Sequence, residues 1–172
     1  MPALPPLWRC ESCGETFTNK NAMHSCGRFS LDALFAKSAP HVRTMFERLQ
    51  TMAAACGPIH TIPQKTRVVF QVRMRFLALY PRKSALLCGF VFARRVEHPR
   101  FEKILSVGPR SHVHDLRLTS VDGIDADVRR WIREAYASGE QQHLAPASDR
   151  RSARPSMRPL ARTPARPPRT RR

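Results

Sequence analysis

Acidic side chains are in short supply in this chain: 13 aspartates and glutamates stand against 30 lysines and arginines, for a net charge of +17. That imbalance speaks against a basic partner and for a polyanionic one. Glycine is scarce too, with 7 in 172 residues. None builds a phosphate-cradling loop, a nucleophile elbow or a dinucleotide fingerprint, and the chain reads as a non-enzyme. Long apolar runs are missing as well; no stretch approaches the ~18 residues that a membrane span needs. The opening Met1-Pro2-Ala3-Leu4-Pro5-Pro6 has no charged n-region and no apolar core, so the expectation is no secretory signal and a cytoplasmic location.

Cysteine is sparing overall, yet three of the 5 cysteines crowd between Cys10 and Cys26. Cys10 and Cys13 form a Cys-x-x-Cys pair, the spacing at which two thiolates on a tight turn reach one tetrahedral ion at ~2.3 Å, and Gly14 suits that turn. Cys26 stands where a finger of the two-Cys, two-His type would carry its first histidine, with Phe17 and Met23 where that finger keeps its core side chains. No Cys or His follows Cys26 at finger spacing, so His24 becomes the fourth ligand, with His41 in reserve. Residues two apart on an α-helix point about 200° apart. His24 and Cys26 therefore require extended or turn backbone, where such side chains face the same way. The reading is a knuckle and a short hairpin closed by a His-Ser-Cys turn, holding structural Zn2+ through Cys10, Cys13, His24 and Cys26 with no open position for catalysis. Two alternatives stand beside it. A redox Cys-x-x-Cys would follow a strand and open a long helix, whereas Thr16 to Asn21 is polar and leads only to the next ligand pair. A structural disulfide would need an oxidising compartment.

The stretch from Trp8 to Phe17, aromatic-x-Cys-x-x-Cys-Gly-x-x-Phe, with His24-Ser25-Cys26 behind it, resembles the knuckle of a bacterial family known only as a domain of unknown function. Further matching residues are Gly57-Pro58, Lys65-Thr66-Arg67, His98-Pro99-Arg100-Phe101, His112-Val113-His114 and Trp131 to Tyr136, so the likeness spans about residues 8–143. The resemblance implies a zinc knuckle followed by a compact α+β domain. It brings no activity with it.

Beyond the knuckle, Ser30 can cap a short helix bearing Leu31, Leu34 and Phe35, and a second helix begins at Pro40, where the missing N–H costs nothing. Val42, Met45, Phe46, Leu49, Met52, Ala53 and Cys56 fall on one face of that helix, which Gly57-Pro58 ends. Val68 to Tyr80 alternates apolar and polar residues, too long for one ordinary strand, so a bend or hairpin is expected near Arg73. Ala85 to Ala93 is almost wholly apolar, as for a central strand covered on both faces. Weaker strands follow near Lys103 to Val107 and His112 to Leu118, and Asp122 or Asp125 opens a last helix with Trp131 on its apolar face and Gly139 at its close. The fold class is α+β, an antiparallel sheet of about five strands packed by helices. The domain limits read 7–28 for the knuckle, 29–144 for the α+β domain and 145–172 for a basic tail. From Pro146 onward there are nine arginines, one acid and six prolines, a composition with nothing periodic to bury and an expectation of disorder.

Two further groups are candidate sites. His112 and His114 share a strand face and could form a metal or acid–base pair, with His98 and Asp115 as conceivable partners; the plainer reading makes them partly buried histidines bonded to backbone. Lys65, Arg67, Arg73, Arg75, Arg82 and Lys83 cluster on the sheet region and could bind phosphates, or simply form a solvated basic face. Phe76, Tyr80, Phe90 and Phe92 look like core rather than stacking platforms, which argues for non-specific contact with DNA or RNA. The leading expectation is a zinc-binding protein that contacts nucleic acid through phosphates. The alternative is a ligand-binding or protein-interaction domain with a purely structural zinc knuckle.

Overall fold

The computed structural model describes residues 4–22 and 24–144. Met23 and the Arg/Pro-rich segment 145–172 lie outside the described residues, and with them the expectations placed on both. Two short strands, β1 (Trp8–Arg9) and β2 (Thr16–Phe17), pair antiparallel at the start of the chain. Helices α1 (Leu31–Phe35) and α2 (Pro40–Ala54) follow. Six strands come next: β3 (His60–Pro63), β4 (Val68–Gln71), β5 (Arg75–Pro81), β6 (Leu86–Phe92), β7 (Phe101–Gly108) and β8 (Ser111–Leu118). Helix α3 (Ala126–Gly139) closes the fold. The strands form one antiparallel sheet in the order β3-β4-β5-β6-β8-β7, so β7 takes the edge and β8 folds back between it and β6. This is the expected α+β architecture, with a sixth strand where Pro58 to Thr66 enters the sheet.

Local sequence accounts for the helices. Ser30 caps α1 by accepting from the Ala33 N–H at 3.2 Å. Pro40 occupies the first turn of α2, whose buried side Val42, Met45, Phe46, Leu49 and Ala53 recurs at helical spacing. Asp125 caps α3, its carboxylate accepting from the N–H groups of Asp127 and Val128; such a cap contributes on the order of 1 kcal/mol. Helix α3 lays Val128, Trp131, Ile132, Ala135 and Tyr136 on the sheet. Trp131, 1% exposed, meets Phe101 with ring centroids 4.4 Å apart and Phe90 at 6.2 Å.

The structure amends three expectations and refines a fourth. Helix α3 closes at Gly139 as expected, and the left-handed residue beyond it is Gln141, with φ 61°. Gly139 is required for proximity, since a Cβ there would come within 2.9 Å of the Phe76 Cβ and 3.0 Å of Val72 Cγ2. The alternation from Val68 to Tyr80 is not one face. The chain turns between Gln71 and Arg75, near Arg73 as anticipated, and a register shift opposite Phe70 and Gln71 puts Phe76, Leu77 and then Leu79 in the helix-side core. Strand β6 is central, but α2 and α3 cover only one of its faces; Leu87 and Val91, on the other, stay half-buried. His41 bonds the Ser84 carbonyl at 3.1 Å, away from any cysteine, so it is no reserve ligand.

Candidate metal centre

The knuckle is a backbone construction before it is a metal site. Cys10 N–H donates to the Glu15 carbonyl at 2.8 Å and Gly14 N–H to the Cys10 carbonyl at 2.9 Å, which folds Cys10 and Cys13 onto one side of a tight turn. Gly14 has φ 74°, a conformation that costs other residues a Cβ clash. The second ligand pair uses the same device, with Cys26 at φ 51° and Gly27 at φ 73°, so the His24-Ser25-Cys26 backbone is a turn and not a helix.

These turns bring four donor atoms together. The sulfurs of Cys10, Cys13 and Cys26 and a ring nitrogen of His24 all lie within 4.8 Å of one another. Cys10 and Cys26 Sγ are 4.0 Å apart, and Cys13 Sγ lies 3.2 Å from His24 Nε2. A tetrahedral ion with bonds of ~2.3 Å to sulfur and ~2.0 Å to nitrogen sets such edges at roughly 3.5 to 3.8 Å. The Cys10–Cys26 separation is well beyond the ~2.05 Å of a disulfide bond, and all five cysteines are free thiols. His24 Nδ1 lies 2.7 Å from the Ala22 carbonyl. Donating there fixes the tautomer and leaves the Nε2 lone pair facing the sulfurs, the usual outer arrangement of a metal-binding histidine. Behind the ring sit Phe17, with centroids 4.6 Å apart, and Trp8 at 6.4 Å.

Titration follows from the crowding. The Cys13 backbone N–H, helped by that of Ser12 and by the Cys13 and His24 side chains, outweighs burial and pulls the Cys10 thiol down to about 6. At Cys13 the Glu15 N–H pulls the same way, but burial, the neighbouring Cys10 and Cys26 sulfurs and the Glu15 charge prevail and hold it up at about 11. His24 is raised, first by its bond to the Ala22 carbonyl, against burial. Three thiolates this close cannot all ionise without a cation between them; a divalent ion supplies that charge. The four residues Cys10, Cys13, His24 and Cys26 thus form a compact group able to hold a metal ion.

The knuckle is fastened to the sheet through Gln71, whose side-chain amide donates to the Thr16 carbonyl, and Ser25, whose hydroxyl donates to Pro63 O at 3.2 Å. Glu15, which nothing in the sequence singles out beyond its place between ligands, has a buried carboxylate oxygen with no hydrogen-bond partner among the described residues. Its negative charge acts on both Cys13 and Arg75.

The other candidates separate. His114 is fully buried; its Nε2 accepts from the Val96 N–H at 2.9 Å and its Nδ1 lies 3.1 Å from the His112 carbonyl, so both nitrogens are committed to backbone. Burial pushes it below the usual histidine range, partly offset by the His112 carbonyl. His112 pairs with Ser106 at 2.8 Å. His98 stands over Trp131 and 3.7 Å from Asp127, and Asp115 points to the opposite side of β8 from its neighbour His114. The two histidines thus have separate partners, His114 in the core and His112 at the sheet edge. Of the six basic residues, Lys65, Arg82 and Lys83 are exposed and Arg67, Arg73 and Arg75 half-buried. They do not form one patch: Arg67 and Arg75 share the helix-free sheet face, Arg73 bonds Pro5 O and Gln141, and Arg82 and Lys83 occupy the β5–β6 turn.

An α+β chain whose first residues bring together a Cys3His group able to hold a metal ion is the class that fold and site define. The chain belongs to the family described as domain of unknown function (DUF5655), whose model matches residues 31–139. That span runs from the first residue of α1 to the last of α3, so the four cluster residues precede it. No curated protein and no solved structure matches the chain. Among the described residues, no helix is long and apolar enough to cross a membrane.

Proposed function

We propose that this is a zinc-binding protein that contacts nucleic acid through phosphates, the zinc holding the knuckle together and taking no part in chemistry. Three thiols and one imidazole, with no carboxylate among them, are the donor set of a closed zinc site. One observation carries the nucleic-acid half. Among the described residues, Arg43, Arg94, Arg95, Arg100, Arg117 and Arg130 are each neutralised by a carboxylate, whereas Lys65, Arg67, Arg73, Arg75, Arg82 and Lys83 form no ion pair. Seven of the chain's 13 acids, Asp32, Glu47, Glu97, Glu102, Asp125, Asp127 and Glu134, pair with other groups, which leaves these six cations available to a polyanion. Phe76, Phe90 and Phe92 are fully buried and cannot stack on bases, which favours backbone contact over sequence reading.

Titrating the zinc-loaded full chain against labelled single- and double-stranded DNA over a range of salt tests this reading. Log affinity should fall linearly with log salt, and Arg82→Ala with Lys83→Ala should flatten the slope by roughly 0.7 to 0.9 for each phosphate no longer neutralised. Absence of binding at low salt, or a slope near zero, removes the nucleic-acid half.

A further inference from the structure

The helix-free face of the sheet has a trough at its centre. Ala78 on β5, Gly89 on β6 and Asp115 on β8 are register neighbours across three strands, and the two small residues leave a cavity of about 330 Å³. A Cβ built on Gly89 would project into it, 3.3 Å from Asp115 Oδ1 and 3.5 Å from Val113 Cγ1. One glycine inside a central strand is otherwise a loss, since it packs nothing and weakens the strand. Here its absent side chain opens the floor.

The walls divide by chemistry. Val91, Val113 and Leu105 form the apolar side, and Leu105 is 50% exposed at the rim. On the other side Arg67 donates to the Tyr80 hydroxyl and to Gln64 Oε1, each at 2.7 Å, which fixes its guanidinium with neutral partners and leaves its charge uncompensated. Arg75 joins it, half-buried; burial and the Arg67 charge hold it below the usual arginine range, against the Glu15 charge. Asp115 also lines the cavity, and among the described residues neither Arg75 nor Asp115 takes part in an ion pair. Among the residues lining the cavity two guanidiniums stand against one carboxylate over an apolar floor, and the repulsion between Arg67 and Arg75 in a partly desolvated place is what an anion between them relieves.

We propose that this trough is a binding site for a small aromatic anion: one ring, flat on the Ala78–Gly89 floor, with its phosphate or carboxylate between Arg67 and Arg75 and a ring hydroxyl or N–H donating to Asp115. The volume lies at the lower end of ligand pockets, ~300–1,000 Å³, and suits a single substituted ring. Guanidiniums match the planar, two-oxygen edge of either anion. This proposal does not rest on the nucleic-acid reading, although Arg67 and Arg75 would serve both.

The test uses amide NMR spectra of the full chain titrated with phenyl phosphate, 4-hydroxybenzoate and inorganic phosphate. Saturable shifts centred on Ala78, Gly89 and Asp115 are expected with at least one ring compound, at an affinity at least tenfold above that for inorganic phosphate. Gly89→Val fills the floor with a residue strands favour, and should weaken ring binding at least tenfold while leaving the salt-dependent binding of DNA unchanged. Ala78→Val repeats the test from the neighbouring strand should the first variant lose its native spectrum. Arg75→Gln should weaken ring binding too. The proposal is overturned if neither ring compound moves those amides at millimolar concentration, if inorganic phosphate binds as well as both, or if the filled variants bind as the parent does. Failure of DNA binding with ring binding intact would remove only the nucleic-acid reading.

Discussion

His24 and His114 both bond to backbone, and the difference between them decides which can serve as a ligand. His24 gives Nδ1 to the Ala22 carbonyl and keeps Nε2 for the sulfurs; His114 has both nitrogens engaged, one by the Val96 N–H. Spacing in the sequence finds the first, because Cys10, Cys13 and Cys26 stand beside it, but cannot decide the second, since burial of a strand residue depends on which segments cross it. The buried His114 has a consequence for pH. Its folded pKa is depressed below the ordinary histidine value of 6.5, mainly by burial, with His112 and Arg95 adding charge repulsion. The unfolded chain therefore takes up the proton first, and the stability this histidine contributes is complete above 6.5 and declines as pH falls below it. Denaturation across that range should show the stability gap between the parent and His114→Gln narrowing toward acid; a constant gap would mean that His114 does not titrate between the two states. At the knuckle, Cys10→Ser should lose the metal and the ordered signals of Trp8 and Phe17 while those of Trp131 persist, because so short a segment buries too little surface to fold without its ion. Disappearance of the Trp131 signals as well would show that the whole chain depends on the metal.

The two longer helices are legible because their apolar residues recur at three and four and their starts carry Pro40 and Asp125. The strands are less so. The apparent alternation from Val68 to Tyr80 conceals a hairpin and a bulge, and alternation alone cannot report a one-residue shift that exchanges the faces. The apolar run of β6 suggests cover on both sides, whereas its second face opens on a cavity that only the pairing of Ala78 with Gly89 creates. Helix α3 is the element whose removal should matter most. Trp131→Ala should cost ~3–5 kcal/mol by emptying a site between Phe90, Phe101 and the Arg100 guanidinium, which lies 5.5 Å from the ring centroid. Chemical denaturation measures it; a change below about 1 kcal/mol, the size of a surface effect, would contradict the packing.

Across the whole molecule, charge and fold are separable. Truncation after Leu144 removes nine arginines and one aspartate and leaves every core-cluster residue found among the described residues, so unfolding free energy should change by less than ~0.5 kcal/mol while the salt slope of nucleic-acid binding flattens. An unchanged slope would assign the polyanion contact to the sheet region and the β5–β6 turn. The four cluster residues are legible in the sequence because turn chemistry and ligand spacing are local. Glu15 is not, and Asp115 is legible only as a conceivable partner of the histidines, because their surroundings are assembled by segments far apart in the chain. The candidate metal site joins these scales, since Gln71 and Ser25 tie its turns to the sheet. X-ray absorption at the zinc edge, on the reduced full chain with its metal content quantified, addresses the centre most directly. One zinc per chain with three sulfur neighbours at ~2.3 Å and one nitrogen at ~2.0 Å is the result the structure leads us to expect; a folded, reduced protein with no zinc, or zinc bound without those sulfurs, would contradict it.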